Sequence, residues 1–353
     1  MKKGRIAALV TAAVLLVSGA AAAEDEAAKI LLGGTEIEIE EDDGNFQQAP
    51  DGSPAAPEWA DVTLNARGFV DGGEYIFEDE EEGHYMYVSP TIRVQVVRTY
   101  EVPNKEHPFY CFTADIWCDV EGGELPHIVD SDPEKPGDAP KFIDEISLEN
   151  KIVFATSTDY YTYRRSMKRD NKYYNVGIEI RHGEVLFDDP QTRNVDMPNY
   201  ETFAILKNGS AESYMSTDYT AAQYLADGAT EVFTFGPCLV RNGELTEYLK
   251  HANTSYNPRL ALGVAEPGHY IAVMCEGRVA RSKGVQMAYL AQLMKDRGCT
   301  LAVNMDGGQT AVVTFMGKQL NKVIEELPRG RKSVEVLAFG TSELVGLEID
   351  SSK

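Results

Sequence analysis

The stretch that decides the fold is residues 285–310, VQMAYLAQLMKDRGCTLAVNMDGGQT. Val285–Arg297 places apolar side chains on one face at helical spacing, and Gly298 follows where a glycine often ends a helix. Cys299–Val303 is a short apolar run, typical of a buried central strand. The helix, the strand and the polar turn Asn304–Thr310 therefore predict a sheet with a helix packed on it.

Strand signals extend outward from this unit in both directions. Segments that alternate with period two, or that are rich in β-branched and aromatic residues between turn residues, lie at Thr91–Val96, Phe109–Val120, Ile152–Ala155, Val176–Ile180, Phe203–Leu206 and His269–Cys275. A second helix is predicted over Tyr219–Ala226, and Ala311–Met316 is expected to pair with Cys299–Val303. The predicted fold is α+β: a mixed, mostly antiparallel sheet with a few packed helices, preceded by a β-rich N-terminal region.

The N-terminus has the pattern of an export signal. Residues 1–23 begin with basic side chains, continue with an apolar run and end with small residues that fit a signal-peptidase site. A membrane anchor is the alternative, although the apolar run is short for a span of about 20 residues. Residues 24–61 are acidic and are predicted to be a disordered tether. Residues 62–140 then form the β-rich region and residues 141–345 the main domain.

Composition excludes several classes of function. The chain has 56 acidic and 33 basic residues, a formal charge of −23, with 43% hydrophobic and 25% charged residues. A globular protein with this charge lacks the basic patch that nucleic acid requires, and an anionic membrane surface would repel it. After the signal, no stretch is long and apolar enough to span a bilayer. No spacing of His, Cys, Asp and Glu predicts a metal site, although scattered carboxylates could still bind Ca²⁺ or Mg²⁺. No cofactor motif is present, so no cofactor is expected.

The turn Asn304–Thr310 (NMDGGQT) carries the most specific motif in the chain. It resembles the N-L-D-G-G-G-S/T signature of the phosphodiester glycosidase family, which includes the N-acetylglucosamine-1-phosphodiester α-N-acetylglucosaminidase and bacterial relatives of the exopolysaccharide-biosynthesis type. Further family-like motifs occur in order along the chain: Thr158–Tyr161, Phe235–Val240, Asn257–Gly263, His269–Val273 with Glu276-Gly277-Arg278, Ser282–Val285 and Ala338–Gly340.

The resemblance implies a secreted hydrolase that cleaves sugar-1-phosphodiesters in envelope or extracellular glycans. Glycoside cleavage commonly uses two carboxyl groups, and Asp306 and Asp159 are the candidates. Arg259 suits a phosphodiester because a guanidinium binds phosphate through two parallel hydrogen bonds. The remaining candidates for substrate binding are Asn304, Gly307, Gly308 and Thr310, with the two glycine N–H groups offered to anionic oxygens.

Departures from the family pattern leave a second interpretation open. Leu260 replaces a Thr, Tyr289 falls where many members have Glu, and Gln309 replaces the third glycine. The alternative is therefore a phosphoglycan-binding protein with weakened catalysis; a structural envelope protein is a third interpretation. For the enzyme, we expect Asp159, Arg259 and Asp306 in one cleft within about 10 Å. Gly307 and Gly308 would line its floor, and Gln309 would narrow it.

Overall fold

The computed structural model describes residues 55–134, 139–158, 177–189, 201–251 and 254–347. The predicted signal peptide, most of the predicted tether and Asp159 lie outside these ranges. The strands are β1 (Tyr75–Asp79), β2 (His84–Val88), β3 (Ile92–Glu101), β4 (Phe109–Cys118), β5 (His127–Asp130), β6 (Ile152–Thr156), β7 (Gly177–Arg181), β8 (Glu184–Asp189), β9 (Glu201–Leu206), β10 (Ala211–Glu212), β11 (Ala229–Phe235), β12 (Cys238–Arg241), β13 (Glu244–Leu245), β14 (Arg259–Glu266), β15 (His269–Cys275), β16 (Leu301–Asn304), β17 (Val313–Phe315), β18 (Lys318–Gln319) and β19 (Glu335–Thr341). The helices are α1 (Ile143–Glu149), α2 (Ala221–Asp227) and α3 (Met287–Asp296).

These strands form three sheets in which the described neighbours pair antiparallel. The largest has nine strands in the order β1-β2-β3-β4-β15-β14-β16-β12-β13. The second has the order β10-β9-β11-β7-β8, and the third β18-β17-β6-β19-β5. The predicted α+β class with mostly antiparallel strands is therefore confirmed. Since β4 pairs with β15 over seven residue pairs, the N-terminal strands continue the sheet that contains β14 and β16.

Two of the three described helices were predicted from local sequence signals. Helix α3 begins two residues after the predicted start and is followed by Gly298 at φ +78°. Helix α2 begins after Thr220, whose hydroxyl accepts the Gln223 N–H, and ends at Gly228 at φ +93°. Helix α1 was not predicted, because its seven residues present only two large apolar side chains to the core, a pattern too short to show a helical period.

The predicted partner of the strand after α3 is wrong. Strand β17, within the predicted Ala311–Met316, pairs with β18 and β6, whereas β16 lies between β14 and β12. A hairpin would need the chain to turn back on itself after β16. Instead, the turn at Gly308–Thr310 is a single 3-10 turn that carries the chain from the large sheet to the third sheet. This crossing places the 304–310 motif between two sheets.

One hydrophobic core joins the three sheets. Buried side chains of the large sheet, such as Ile92 and Leu262, belong to the same cluster as Phe233 of the second sheet and Phe154 and Phe339 of the third. Aromatic and branched side chains from all three sheets therefore exclude water from one shared interior. No helix within the described ranges has both the length and the apolar character needed to cross a membrane.

The shared core predicts one cooperative unfolding transition. Ile92→Ala in β3 and Leu262→Ala in β14 each remove a side chain that is at most 2% exposed. Each should lower the free energy of unfolding by about 2–5 kcal/mol and shift a single denaturation midpoint. Leu186→Ala, at a 48% exposed position of β8, is the matched control and should change stability by less than about 0.5 kcal/mol. Two separate transitions, of which Ile92→Ala shifts only one, would contradict this expectation.

Candidate active site

Glycines from three different motifs pack against one short piece of backbone, Asn257–Pro258. A Cβ on Gly277 would lie 2.7 Å from the Pro258 nitrogen, and one on Gly284 would lie 2.6 Å from the Asn257 nitrogen. A Cβ on Gly307 would lie 2.8 Å from the Pro258 carbonyl oxygen. Side chains do not fit at such distances, so the three glycines are needed for close backbone approach rather than for loop flexibility.

Backbone hydrogen bonds complete this junction. The N–H of Gly308 donates to the Pro258 carbonyl at 2.9 Å, and the N–H of Val285 donates to the Asn257 carbonyl at 3.0 Å. Four separate motifs therefore meet at the beginning of β14, at the end of β15 and at the end of β16. Because β14 runs antiparallel to both β15 and β16, the beginning of β14 and the ends of β15 and β16 lie at the same end of these neighbouring strands.

The Asp306 side chain lies in this junction. It is half-buried, and its backbone N–H donates to the Thr158 carbonyl at 3.2 Å. Burial raises the pKa of Asp306 to about 7, although the Thr310 hydroxyl, the Arg331 charge and the Gly307 N–H act in the opposite direction. A carboxyl group with a pKa near neutrality can hold or release a proton at working pH, as acid–base catalysis requires.

The two glycine N–H groups do not provide the anion nest that the sequence suggested. The Gly308 N–H is used by the Pro258 carbonyl, and the Gly307 N–H faces the Asp306 carboxyl. Gly308 also requires the left-handed region, at φ +62°. These glycines therefore shape the turn and hold Asp306 without offering N–H groups to a substrate.

Asn304 and Thr310 lie on either side of Asp306. Asn304 donates from Nδ2 to the Gly236 carbonyl at 3.0 Å and fixes the turn before β12. Its Oδ1 is buried and has no hydrogen-bond partner among the described residues. The Thr310 hydroxyl is likewise buried, and it faces the Asp306 carboxyl, where it favours the charged form. Buried polar atoms are normally satisfied, so Asn304 Oδ1 is the atom that a ligand could engage.

Arg259 reaches the site from the first position of β14, but its guanidinium supports the loops. It is 7% exposed and donates from Nε to the Val285 carbonyl at 2.9 Å and from Nη2 to the Ser255 carbonyl at 3.1 Å. Burial lowers the pKa of Arg259 to about 10, so the group stays charged at neutral pH. No carboxylate in the described ranges pairs with it. Within the described residues, Arg259 therefore contributes a positive charge beneath the turn that no carboxylate offsets.

Arg278 is a further candidate residue, which the sequence analysis did not assign to the site. Its side chain is exposed, and a Cβ on Gly308 would lie 3.4 Å from its Nη1. Asn257 Oδ1 accepts from Nε at 3.2 Å and from Nη2 at 2.5 Å, which orients the guanidinium. The residue has φ +58°, a backbone conformation that is strained for arginine and common at functional sites. The signal that could have found it is its place as the third residue of the Glu276-Gly277-Arg278 motif.

A buried carboxylate holds the loop that presents Arg278. Glu276 has no exposed surface and accepts from Arg281 Nε at 2.9 Å and Nη2 at 2.5 Å. It also accepts from the Ser282 hydroxyl at 3.1 Å and the Lys322 N–H at 2.7 Å. This carboxylate is fully engaged in structure and is not a candidate for chemistry.

The structure thus brings Arg259, Asn304 and the Asp306–Thr310 turn to one place and adds Arg278. Asp159 lies outside the described residues, so its predicted place in the cleft remains a prediction; Thr158, the residue before it, contacts Asp306. No group of three or more His, Cys, Asp or Glu side chains in the described ranges is arranged to hold a metal ion.

Residues 150–336 match the family model described as phosphodiester glycosidase, which is more than half of the chain. The chain belongs to the phosphodiester glycosidase family. The match contains every motif glycine of the junction as well as Asp306 and Arg278.

Two individual proteins show similarity of different kinds. A SPbeta prophage-derived uncharacterized protein of Bacillus subtilis (strain 168) is 26% identical over 166 residues, which is 44% of this chain and 24% of that protein. The chain therefore matches only about a quarter of the length of this relative. The zebrafish N-acetylglucosamine-1-phosphodiester alpha-N-acetylglucosaminidase catalytic domain, auto-inhibited by its pro-peptide, superposes with a TM-score of 0.56 at 14% identity, over 78% of this chain and 90% of that one. This second similarity shows a shared fold.

The glycine junction predicts a steric effect at Gly307. Gly307→Ala places a methyl group 2.8 Å from the Pro258 oxygen without a φ penalty. We expect a loss of about 1–3 kcal/mol in the free energy of unfolding, as for other overpacked positions. Gly72→Ala, where a Cβ meets no atom within 4 Å, is the control and should leave stability nearly unchanged in the same denaturant titration. Equal stability of both variants would show that the junction is not tightly packed.

The ionisation of Asp306 predicts a pH-dependent stability difference. Its pKa is raised from 3.8 to about 7, so the folded protein binds this proton more tightly than the unfolded chain does. This contribution is fully present below about pH 4 and is lost as the pH rises through about 7. The free energy of unfolding of the wild type, relative to Asp306→Asn, should therefore fall between pH 4 and pH 8. Asp130, whose pKa burial raises to about 6, is present in both proteins and cancels. A difference that does not change with pH would contradict the assignment.

Proposed function

We propose that this protein hydrolyses sugar-1-phosphodiesters at the bond between the anomeric carbon and the phosphate oxygen. The observation that carries the proposal is that Arg259 and Arg278, both without a carboxylate partner in the described ranges, lie against the two glycines that follow Asp306. In a chain with 56 acidic residues, two guanidinium groups that no described carboxylate pairs with, at one carboxyl-bearing turn, favour an anionic substrate.

Arg278 is the residue proposed to bind the phosphodiester. Its guanidinium is exposed, and Asn257 fixes its orientation through two of its five N–H groups. The remaining donors can meet two phosphate oxygens in the parallel arrangement that guanidinium groups favour. Arg259 would contribute charge from below, since its own donors are largely used by backbone carbonyls.

Asp306 is the proposed nucleophile, or the base that activates water. A phosphate leaves as a weak base, so the reaction needs little proton donation to the leaving group. The carboxylate form is the reactive one in either role, and a pKa of about 7 keeps a substantial fraction charged at neutral pH. Asp159 is proposed as the second carboxyl group. A separation of about 5 Å between the two would favour retention of configuration, and about 6.5–9.5 Å would favour inversion.

The burial of two unusual residues supports an enzyme over a binding protein that has lost catalysis. Leu260 is fully buried in the core, and its carbonyl accepts the Met305 N–H at 2.8 Å. Tyr289 is 8% exposed and packs edge-on against Phe109 with ring centroids 5.7 Å apart. Both departures from the family pattern therefore serve packing. An exported protein acting on envelope or extracellular glycans is proposed from the pattern of residues 1–23.

The test is turnover of a panel of glycosyl phosphodiesters that differ in sugar and in anomeric configuration. Asp306→Asn should reduce kcat by at least about 100-fold, as expected on loss of a reacting carboxylate. Arg278→Met should raise KM by about 10-fold to 100-fold, because this is the loss of affinity that corresponds to the free energy of a charge-assisted hydrogen bond. The control is Arg67→Met, at a position whose side chain is 57% exposed and paired with Asp119, and it should behave as the wild type.

Reaction in ¹⁸O-labelled water identifies the bond that breaks. Cleavage at the sugar carbon leaves the phosphomonoester product without label, whereas attack at phosphorus would place the label there. No turnover of any substrate by the folded protein, with glycan binding that Asp306→Asn does not change, would favour the alternative of a phosphoglycan-binding protein.

A further inference from the structure

Gln309 occupies the position where the family signature has its third glycine, and it contacts Arg331. The Gln309 carbonyl accepts the Arg331 N–H at 2.7 Å. Its side-chain Oε1 accepts from Arg331 Nη2 at 2.8 Å. The Gln309 backbone thus binds the Arg331 backbone, and the Gln309 side chain binds the Arg331 guanidinium. The two hydrogen bonds together orient the guanidinium relative to the turn. A glycine at 309 could make only the first of these bonds.

The chain is shaped to permit this contact. Gly330 precedes Arg331 and has φ +73°, and a Cβ there would lie 2.7 Å from the Gln309 carbonyl oxygen. Any other residue at 330 would push the segment away from the turn. Both Gln309 and Arg331 are half-buried, so their hydrogen bond is partly shielded from water and is worth more than an exposed one.

The contact acts on Asp306. Gln309 lies in the same turn as Asp306, and the Arg331 charge reaches the carboxyl and favours its ionised form. The other charged groups on the surrounding elements of the described ranges are Arg259 and Arg278, and the carboxylates Glu276 and Glu335, which pair with Arg281 and Arg181. Among these charged residues, Arg331 is the one that donates to a side chain which the family signature lacks.

We propose that Gln309 is a positioning residue that holds the Arg331 guanidinium beside Asp306 and thereby keeps the reactive carboxylate charged. The proposal rests on the proposed function. It gives the departure at 309 a chemical role in place of the expected one, a side chain that narrows the cleft. The two roles make different predictions, because one depends on the amide oxygen and the other on size.

Gln309→Met separates them, since methionine keeps the length of the side chain and lacks the acceptor. We expect kcat/KM to fall about 3-fold to 10-fold at pH 6, where Asp306 becomes protonated more readily, and to stay within about 2-fold of the wild type at pH 9. Coincident pH profiles of Gln309→Met and the wild type would overturn the proposal.

A double-mutant cycle shows whether the effect passes through Arg331. In the wild-type background, Arg331→Met should lower kcat/KM at pH 6. In the Gln309→Met background, the same substitution should lower kcat/KM little further. Equal effects in the two backgrounds would also overturn the proposal.

A measurement without substrate separates this proposal from the proposed function. The pH dependence of the stability difference between Asp306 and Asp306→Asn, measured in the Gln309→Met background, should move to higher pH. If no phosphodiester is cleaved but this movement occurs, the positioning role stands while the reaction assigned above fails. If turnover occurs and the movement does not, Gln309 has no such role.

Discussion

The close packing of backbone around Asn257–Pro258 is the constraint on which the site depends. The Pro258 carbonyl accepts the Gly308 N–H, and three glycines approach the same two residues too closely for any side chain. Because the junction joins the start of β14 to the ends of β15 and β16, a shift in one loop moves the other two. The rigid large sheet beneath supplies the fixed strand ends that such a junction needs.

Charges at this junction are balanced differently from charges elsewhere in the core. Arg181 is buried between Glu179 and Glu335 at 2.9 and 2.6 Å, and Glu276 is fully buried against Arg281. In each of these pairs the partner offsets part of the cost of taking a charge out of water. At the junction, no carboxylate of the described residues pairs with the buried Arg259, and burial raises the pKa of Asp306. An anionic ligand would therefore be attracted to the positive charge of Arg259 at this site.

The sequence predicted those parts of the fold that local signals determine. Helix α3 and the strand after it follow from apolar periodicity and a terminal glycine, and the α+β class follows from the number of short strands. The pairing of β17 could not be predicted, because a short apolar strand fits either side of a turn and only the packing of the third sheet decides.

In the candidate site, too, local sequence predicted some features, and others depend on contacts formed only in the folded chain. The motif around Asp306 predicted close backbone approach at this turn, since an acid followed by two glycines suits it, and the structure has that approach at Gly307 and Gly308. The motif could not show that the glycine N–H groups are already used, or that the Arg259 donors are turned toward carbonyls. Arg278 was missed for a related reason. The orientation of its guanidinium depends on Asn257, which is its neighbour only in the folded chain.

The pairing of β4 with β15 has a consequence for how the molecule is made. It joins residues 109–118 to residues 269–275, and the junction draws on segments from Thr158 to Arg331. Proteins dominated by contacts between distant parts of the chain fold slowly, because long loops must close before these contacts form. During synthesis, β4 has its partner β3 early, but the opposite side of β4 stays without a neighbour until β15 has been made. The site can therefore assemble only when nearly the whole chain is available.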